Sequence, residues 1–326
     1  MDNENEKEVL TSKKLAMLLT EHKKWRVTDG HSGKQCRLSD YDLSQVSIAG
    51  LDLSYVDFSF ADLKGVDLHG ANLSHAVSRD CDLSHTNLDF CKMQGADLNG
   101  ANLSYASLVS TNLFCADCKN ADFSHAKLMQ ANFIYAHMEN SSMEESELVS
   151  VYFTNAHMAG ANLKNVKINS CDFTGAELNG AELTDAVVRA STLICANLTN
   201  SSCEQTKFLG SNLTQAILNG ANLNKTNYYG SSLNRIKATE ALMVFQAAGT
   251  TSPMFLAYNA SRDQTTFHPD KPTASLDVLE EVARNEQNQA LLYFLSVYAL
   301  NVPACLLRKA SICFLITSAS IRTEPR

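Results

Sequence analysis

Residues 96–105 read ADLNGANLSY, two turns of one five-residue pattern: small, Asp or Asn, Leu, then two variable positions. An α-helix repeats at about 3.6 residues and a strand at about 2, so neither explains this period. Stepping outward in fives from Leu98 gives one centre per pentad, from Leu38, Leu43, Ile48, Leu53, Phe58 and Leu63 on to Leu233, with no insertion. Of these 40 centres, 37 are Leu, Phe, Met, Ile, Val or Tyr; the exceptions are Ser78, Cys118 and Cys203. Two positions earlier the residue is nearly always small, as at Ala61, Ala101, Ala161 and Ala221.

Two inward positions in five fit a chain that turns a corner every pentad. The large centre fills a narrow tube, the small residue lies inside beside it, and the remaining three face water. Four sides close a square coil of about twenty residues, and coils stack at about 4.8 Å, the hydrogen-bonding distance between strands. Forty pentads then give about ten coils and a rod on the order of 50 Å long. Leu43, Leu63, Leu83, Leu103, Phe123, Leu163, Leu183 and Leu223 are the expected core, each contributing roughly 1.5–3 kcal/mol on burial.

This pattern resembles the A-(D/N)-L-x-x signature of the pentapeptide-repeat family over residues 36–235. The resemblance implies an all-β solenoid, a right-handed quadrilateral β-helix. The expected division is a capping helix and lead-in at 1–33, the repeat at 34–238, and a helical C-terminal module at 239–326.

Open solenoid ends expose strand edges, so caps are expected. Leu15, Leu18, Leu19, His22 and Trp25 share one helical face, which predicts a helix over 5–26. His22, Trp25, Gly30 and Gly33 also resemble a lead-in found in many bacterial family members. At the other end, 239–248 reads as a short helix, 249–274 as loop around Pro253, Pro269 and Pro272, and Ser275 as the N-cap of an amphipathic helix. The uncharged run Asn288–Leu307 has 20 residues, nominally enough to span a bilayer, but Gln289, Asn301 and Pro303 interrupt it. Three readings stand for 276–318: a buried module that caps the rod or makes a homodimer, reversible membrane contact, or a span.

The net charge is −8, and it lies on the repeat, with 21 acidic and 13 basic residues in 34–235. That argues against direct nucleic-acid binding, which needs a basic surface, and suits a basic protein partner. Residues twenty apart stack on one wall. One wall presents Asp42, Asp62, Asp82, Asn102, Asp122, Ser142, Asn162 and Glu182; the wall before it presents Asp57, Val77, Asp97, Asp117, His137, His157 and Glu177. A third carries Lys127, Glu147, Lys167 and Lys207. Asp and Asn at this position commonly satisfy backbone groups at turns. The sharper reading is an acidic interaction wall that mimics the phosphate ladder of DNA, as the resemblance implies for fluoroquinolone-resistance members that engage gyrase. The uninterrupted repeat and the long C-terminal part depart from those members.

His137 and His157, one coil apart between Asp117 and Glu177, form either a metal or pH site or a solvated stack without ligand, the preferred reading. His85, Tyr105 and His125 form a second stack. The ten cysteines read as reduced: Cys36, Cys81, Cys91 and Cys171 take the small inward position, and Cys115 and Cys195 lie four coils apart. Cys115 and Cys118 match C-x-x-C, but the repeat puts them on opposite sides of a wall. Residues 1–24 are charged throughout and give no signal peptide, so a reducing cytoplasmic location is expected. No nucleophile-elbow, phosphate-loop or H-E-x-x-H motif occurs, and Asp263, His268 and Asp270 make no recognisable constellation. The expectation is a non-enzymatic interaction or scaffold protein without cofactor. A DNA-mimicking topoisomerase regulator and a secreted bacterial effector acting at host membranes are the alternatives.

Overall fold

The computed structural model describes residues 8–237, apart from 40, 44, 224, 225, 229, 230 and 234, and the backbone of two strands beyond them. From Arg37 onward the chain climbs by parallel bridges between residues twenty apart. One ladder runs Arg37, Asp57, Val77, Asp97, Asp117, His137, His157, Glu177, Asn197, Ile217, Lys237, and defines wall 1. Wall 2 is the ladder from Asp62 to Asn222, and wall 4 the ladder from Asp52 to Ser232. Wall 3 runs from Asp67 to Asn227 and includes the regular strands β3 (Lys127–Met129), β4 (Glu147–Val149), β5 (Lys167–Asn169), β6 (Val187–Arg189) and β7 (Lys207–Leu209). The result is a four-sided parallel β-solenoid.

Each pentad exhausts its backbone hydrogen bonds in the same way. Leu63 N–H donates to the Asp82 carbonyl at 2.8 Å, Gly65 N–H to that of Ser84 at 2.8 Å, and Asp82 N–H returns to that of Ala61 at 3.0 Å. Val66 N–H closes the corner on the Leu63 carbonyl at 2.9 Å. The corner needs a left-handed residue in the fifth pentad position, for example Tyr105 (φ 60°), His125 (φ 58°) or Asn155 (φ 54°). Left-handed backbone is worst for β-branched side chains, and from Tyr55 to Gly220 no Val, Ile or Thr occupies that position.

The eight expected core centres, from Leu43 to Leu223, are all buried. Phe133, Phe153 and Phe173 stack along the axis, with ring centroids 5.2 and 4.7 Å apart. Where the small inward residue is polar, its hydrogen is used: Thr111 Oγ1 donates to the Leu88 carbonyl at 2.8 Å, Thr206 Oγ1 to that of Leu183 at 2.7 Å, and Cys91 Sγ to that of Leu68 at 2.9 Å.

The cap differs in detail from the predicted helix 5–26. Helix α1 spans Ser12–Val27, and Thr11 is its N-cap, its hydroxyl accepting from Lys14 N–H at 3.3 Å. Before it, β1 (Glu8–Val9) pairs in parallel with β2 (Tyr41–Asp42), and Leu10 is fully buried with its N–H on the Asp42 carbonyl. Strand wins here because it carries Leu10 into the tube and covers the edge of the first coil. His22 locks the helix down. It is buried, Cys36 N–H donates to its Nδ1 at 3.1 Å, and its Nε2 meets the Ser54 carbonyl at 2.8 Å, which fixes the Nε2–H tautomer. Gly33 is required: a Cβ there would lie 2.2 Å from the Glu21 carbonyl oxygen.

Beyond the repeat, β8 (Leu242–Phe245) and β9 (Met254–Ala257) form an antiparallel pair in the register Leu242 to Ala257. This corrects the expected helix at 239–248 and the expected loop at 254–257. LMVF and MFLA are short apolar runs holding Val and Phe, and a partner strand satisfies them better than a lone helical turn. The helix expected from Ser275 and the apolar segment 276–318 lie outside the described residues.

Candidate functional site

The Asp or Asn before each centre serves local structure first. Oδ1 of Asp57, Asp62, Asp82, Asp97, Asp117 and Asp122 accepts the N–H two residues on, from Ser59, Lys64, Ser84, Asn99, Lys119 and Ser124, at 2.8–3.3 Å. This is the Asx-turn role. One oxygen is thereby fixed to the backbone, so these carboxylates are held in place without rotamer freedom.

The two acidic walls then part company. On wall 1 the ladder acids Asp57, Asp97 and Asp117 are countered, by Arg37 at 3.2 Å, Arg79 at 2.5 Å and Lys119 at 3.6 Å, while Asp80 at the corner toward wall 2 has no ion pair among the described residues. On wall 2, no Lys or Arg pairs with Asp62, Asp82, Asp122, Glu144 or Glu182 among the described residues. Glu145, Asp185 and Glu204 add to the same side, where Lys64 and Lys164 are the described cations. Asp42 belongs to β2, paired with β1, and not to the Asp62 ladder. The acidic surface predicted over two walls is therefore concentrated on one.

The rings of His137 and His157 stack at 4.7 Å and 8°. His137 Nδ1 meets Glu139 at 3.4 Å, and His157 Nδ1 meets Glu177 at 2.8 Å. Parallel rings keep their nitrogens side by side instead of converging on one point, and a tetrahedral metal needs convergence. No metal-holding group of three or more His, Cys, Asp or Glu is present among the described residues. His85, Tyr105 and His125 stack at 4.9 and 4.6 Å along the corner between walls 2 and 3, ending on Glu145, 3.5 Å from His125.

The thiols divide by environment. Burial pushes Cys36 and Cys171 up to about 11, Cys91 and Cys203 up to about 12, and Cys118 higher still. These are inert fillers. Cys115 and Cys195 are exposed, so Cys115 and buried Cys118 do face opposite sides of a wall.

A cleft of about 700 Å³ lies between α1 and the first coil, lined in part by His22, Trp25, Arg26, Asp52 and Tyr55. His22, Arg26 and Asp52 of its lining dock the cap. Arg26 pairs with Asp52 at 2.9 Å and lies over the Tyr55 ring. Desolvation raises the Asp52 carboxyl, but hydrogen bonds from Ser54 and Arg26 outweigh it and hold the group below its ordinary value. No helix of the described residues is long and apolar enough to cross a membrane.

Linear reading missed wall 4. Phe114, Tyr135 and Tyr152 stand exposed on it or its corner, with Phe114 and Tyr135 edge to face at 6.0 Å. The signal was available in the outward positions on either side of the centres Leu113, Phe133 and Phe153, read every twenty residues.

Among solved structures, the chain is similar to HetL, a pentapeptide repeat protein involved in heterocyst differentiation regulation from the cyanobacterium Nostoc sp. strain PCC 7120. The identity is 24%, over 60% of this chain and 90% of that one, with a TM-score of 0.29. It is similar to full-length QnrB1, a plasmid-mediated fluoroquinolone resistance protein, at 17% identity over 52% of this chain and 84% of that one, TM-score 0.33. A pentapeptide repeat protein of the Arabidopsis thaliana thylakoid lumen matches at 27% identity over 36% of this chain and 69% of that one, TM-score 0.16. No curated protein matches the chain. The family model for pentapeptide repeats matches in eight copies, over residues 36–77, 81–114, 111–148, 146–185 and 193–235. With the twenty-residue ladders and the buried centres, that match places the chain in the pentapeptide-repeat family.

Proposed function

We propose that this is a non-enzymatic interaction protein whose wall 2 docks a basic protein surface, with the C-terminal region supplying a further partner or membrane contact. One observation carries the reading: Asp62, Asp82, Asp122, Glu144 and Glu182 recur along wall 2 with no Lys or Arg partner among the described residues, while Asp57, Asp97 and Asp117 of wall 1 each have one. Unpaired, backbone-anchored charges can meet a cationic partner without first breaking an internal ion pair or losing rotamer entropy. Their summed field also steers a basic partner toward that side. Among the described residues, eight cysteines form no disulfide, which suits action in a reducing compartment.

The test uses the full chain with Asp62, Asp82 and Asp122 all changed to Asn. Asn already serves the same turn role at Asn72, Asn102 and Asn112, so the fold is kept while charge is removed. Loss of partner capture, with unchanged circular dichroism, is expected. Capture at full strength overturns the reading.

A second reading, DNA mimicry toward a type II topoisomerase, draws on the same one-sided charge. Under it, excess chain inhibits gyrase supercoiling and the triple Asn variant does not. Full supercoiling in excess chain overturns it. A role as a secreted effector at host membranes rests on 276–318 alone, and failure of the full chain to bind vesicles would set it aside.

A further inference from the structure

Wall 4 is unlike the other three. Between Asn72 and Asn212, the Asp, Glu, Lys and Arg residues of its own pentads reduce to Lys92 and Asp172, and Asp89, in the turn that leads into it, is bonded to wall 3 through Ser107 and Val109. Neither Lys92 nor Asp172 has an ion-pair partner within the chain among the described residues. Near the middle of this wall lie Phe114, Ile134, Tyr135 and Tyr152, with the three aromatics 39–48% exposed.

The placement is symmetric. Lys92 lies two rungs below Asn132 and Asp172 two rungs above it, on one ladder. Phe114 lies on the rung below, and Tyr152 on the rung above. A two-fold axis across the wall at the Asn132 rung superposes a second, antiparallel copy face to face. Each ladder then meets itself inverted. Lys92 faces Asp172 of the second copy, the Phe114 rung meets the Tyr152 rung, and Ile134 meets Ile134.

We infer that wall 4 is a self-complementary interface through which two copies of this chain pack side by side and antiparallel. Net charge supports the choice of wall. The protein carries −8, so like copies repel, and wall 4 is the side on which charges are few and balance across the axis. A strip of seven rung spacings, about 34 Å by 13 Å at strand dimensions, buries in total on the order of 1,000 Å², the lower end for specific pairs. Wall 2 is opposite wall 4, so the pair presents two acidic walls outward.

Sedimentation of the full chain across micromolar concentrations tests this, with four variants. Lys92→Asp and Asp172→Lys should each weaken the dimer at least about tenfold, since each sets two like-charge contacts in the interface. The double variant Lys92→Asp/Asp172→Lys should restore it, and Ile134→Glu should abolish it. Lys stands at the ladder position in β3, β5 and β7, so Asp172→Lys is compatible with the fold, and circular dichroism checks it. Small-angle scattering should show the dimer little longer than the monomer. A chain that stays monomeric, a dimer indifferent to both single variants, a double variant that does not recover, or a dimer twice the monomer's length would each overturn the inference.

Discussion

Phe153 tests the physics of the tube. It is fully buried and stacked between Phe133 and Phe173, at 5.2 and 4.7 Å. Phe153→Ala empties the middle of one coil, which the rigid neighbouring corners cannot close, and should cost about 3–5 kcal/mol. Phe153→Leu should cost less than about 1.5 kcal/mol, because Leu is the native centre at Leu148 and Leu163, within a coil either side. The loss should also be local, since solenoid coils touch only their neighbours. Trp25 is the single tryptophan and sits in the cap, far from coil 153. In urea, circular dichroism of Phe153→Ala should therefore shift to lower denaturant more than Trp25 fluorescence does. Equal costs for Ala and Leu would refute the tube-filling argument, and equal shifts in both signals would refute locality.

Further outcomes follow from the same structure. Native thiol labelling with peptide mapping should modify Cys115 and Cys195 quickly, and reach Cys36, Cys81, Cys91, Cys118, Cys171 and Cys203 only on unfolding; early labelling of Cys118 would contradict the inward placement. Alkaline pH should destabilise. The Cys91, Cys118 and Cys203 thiols are raised by burial from 9.0, so above pH 9 the folded chain holds protons that the unfolded chain has lost. Stability is full below that pH and falls as pH rises, by about 1.4 kcal/mol per thiol at one unit above it. Cys91→Ala should flatten that slope in denaturant melts, and an unchanged slope would count against it. His22→Ala strands the Cys36 N–H and the Ser54 carbonyl and should cost about 1–3 kcal/mol, seen as earlier loss of Trp25 signal. Asp122→Ala should cost about 1 kcal/mol through its lost turn bond, whereas Asp122→Asn should be near neutral.

The repeat was legible because each of its rules is local and redundant. A buried centre, a small neighbour and a left-handed corner recur in nearly every described pentad, so isolated substitutions such as Ser78 or Cys203 do not hide the period. The cap was half legible. The face of Leu15 and His22 was visible, but the start was not, since Glu8 and Val9 pair in a strand with the distant Tyr41 and Asp42, and Leu10 N–H bonds the Asp42 carbonyl. The difference between walls 1 and 2 was not visible from ladder positions alone. It depends on Arg79 and Lys119, which follow the centres of their pentads: Arg79 reaches to Asp97 on the next coil and Lys119 folds back onto Asp117. The β8–β9 pair was missed because two four-residue apolar runs carry no period that separates strand from helix.

The most direct measurement of the central claim is a photo-cross-linking residue placed singly at Asn99, Ser104, Asn169 and Asn132, one on each wall, in the full chain inside cells that express it. The account predicts protein adducts from Ser104 on wall 2, lost when Asp62, Asp82 and Asp122 are changed to Asn. Adducts from wall 3 or wall 1 alone, or from Ser104 at undiminished yield in the triple variant, would contradict it.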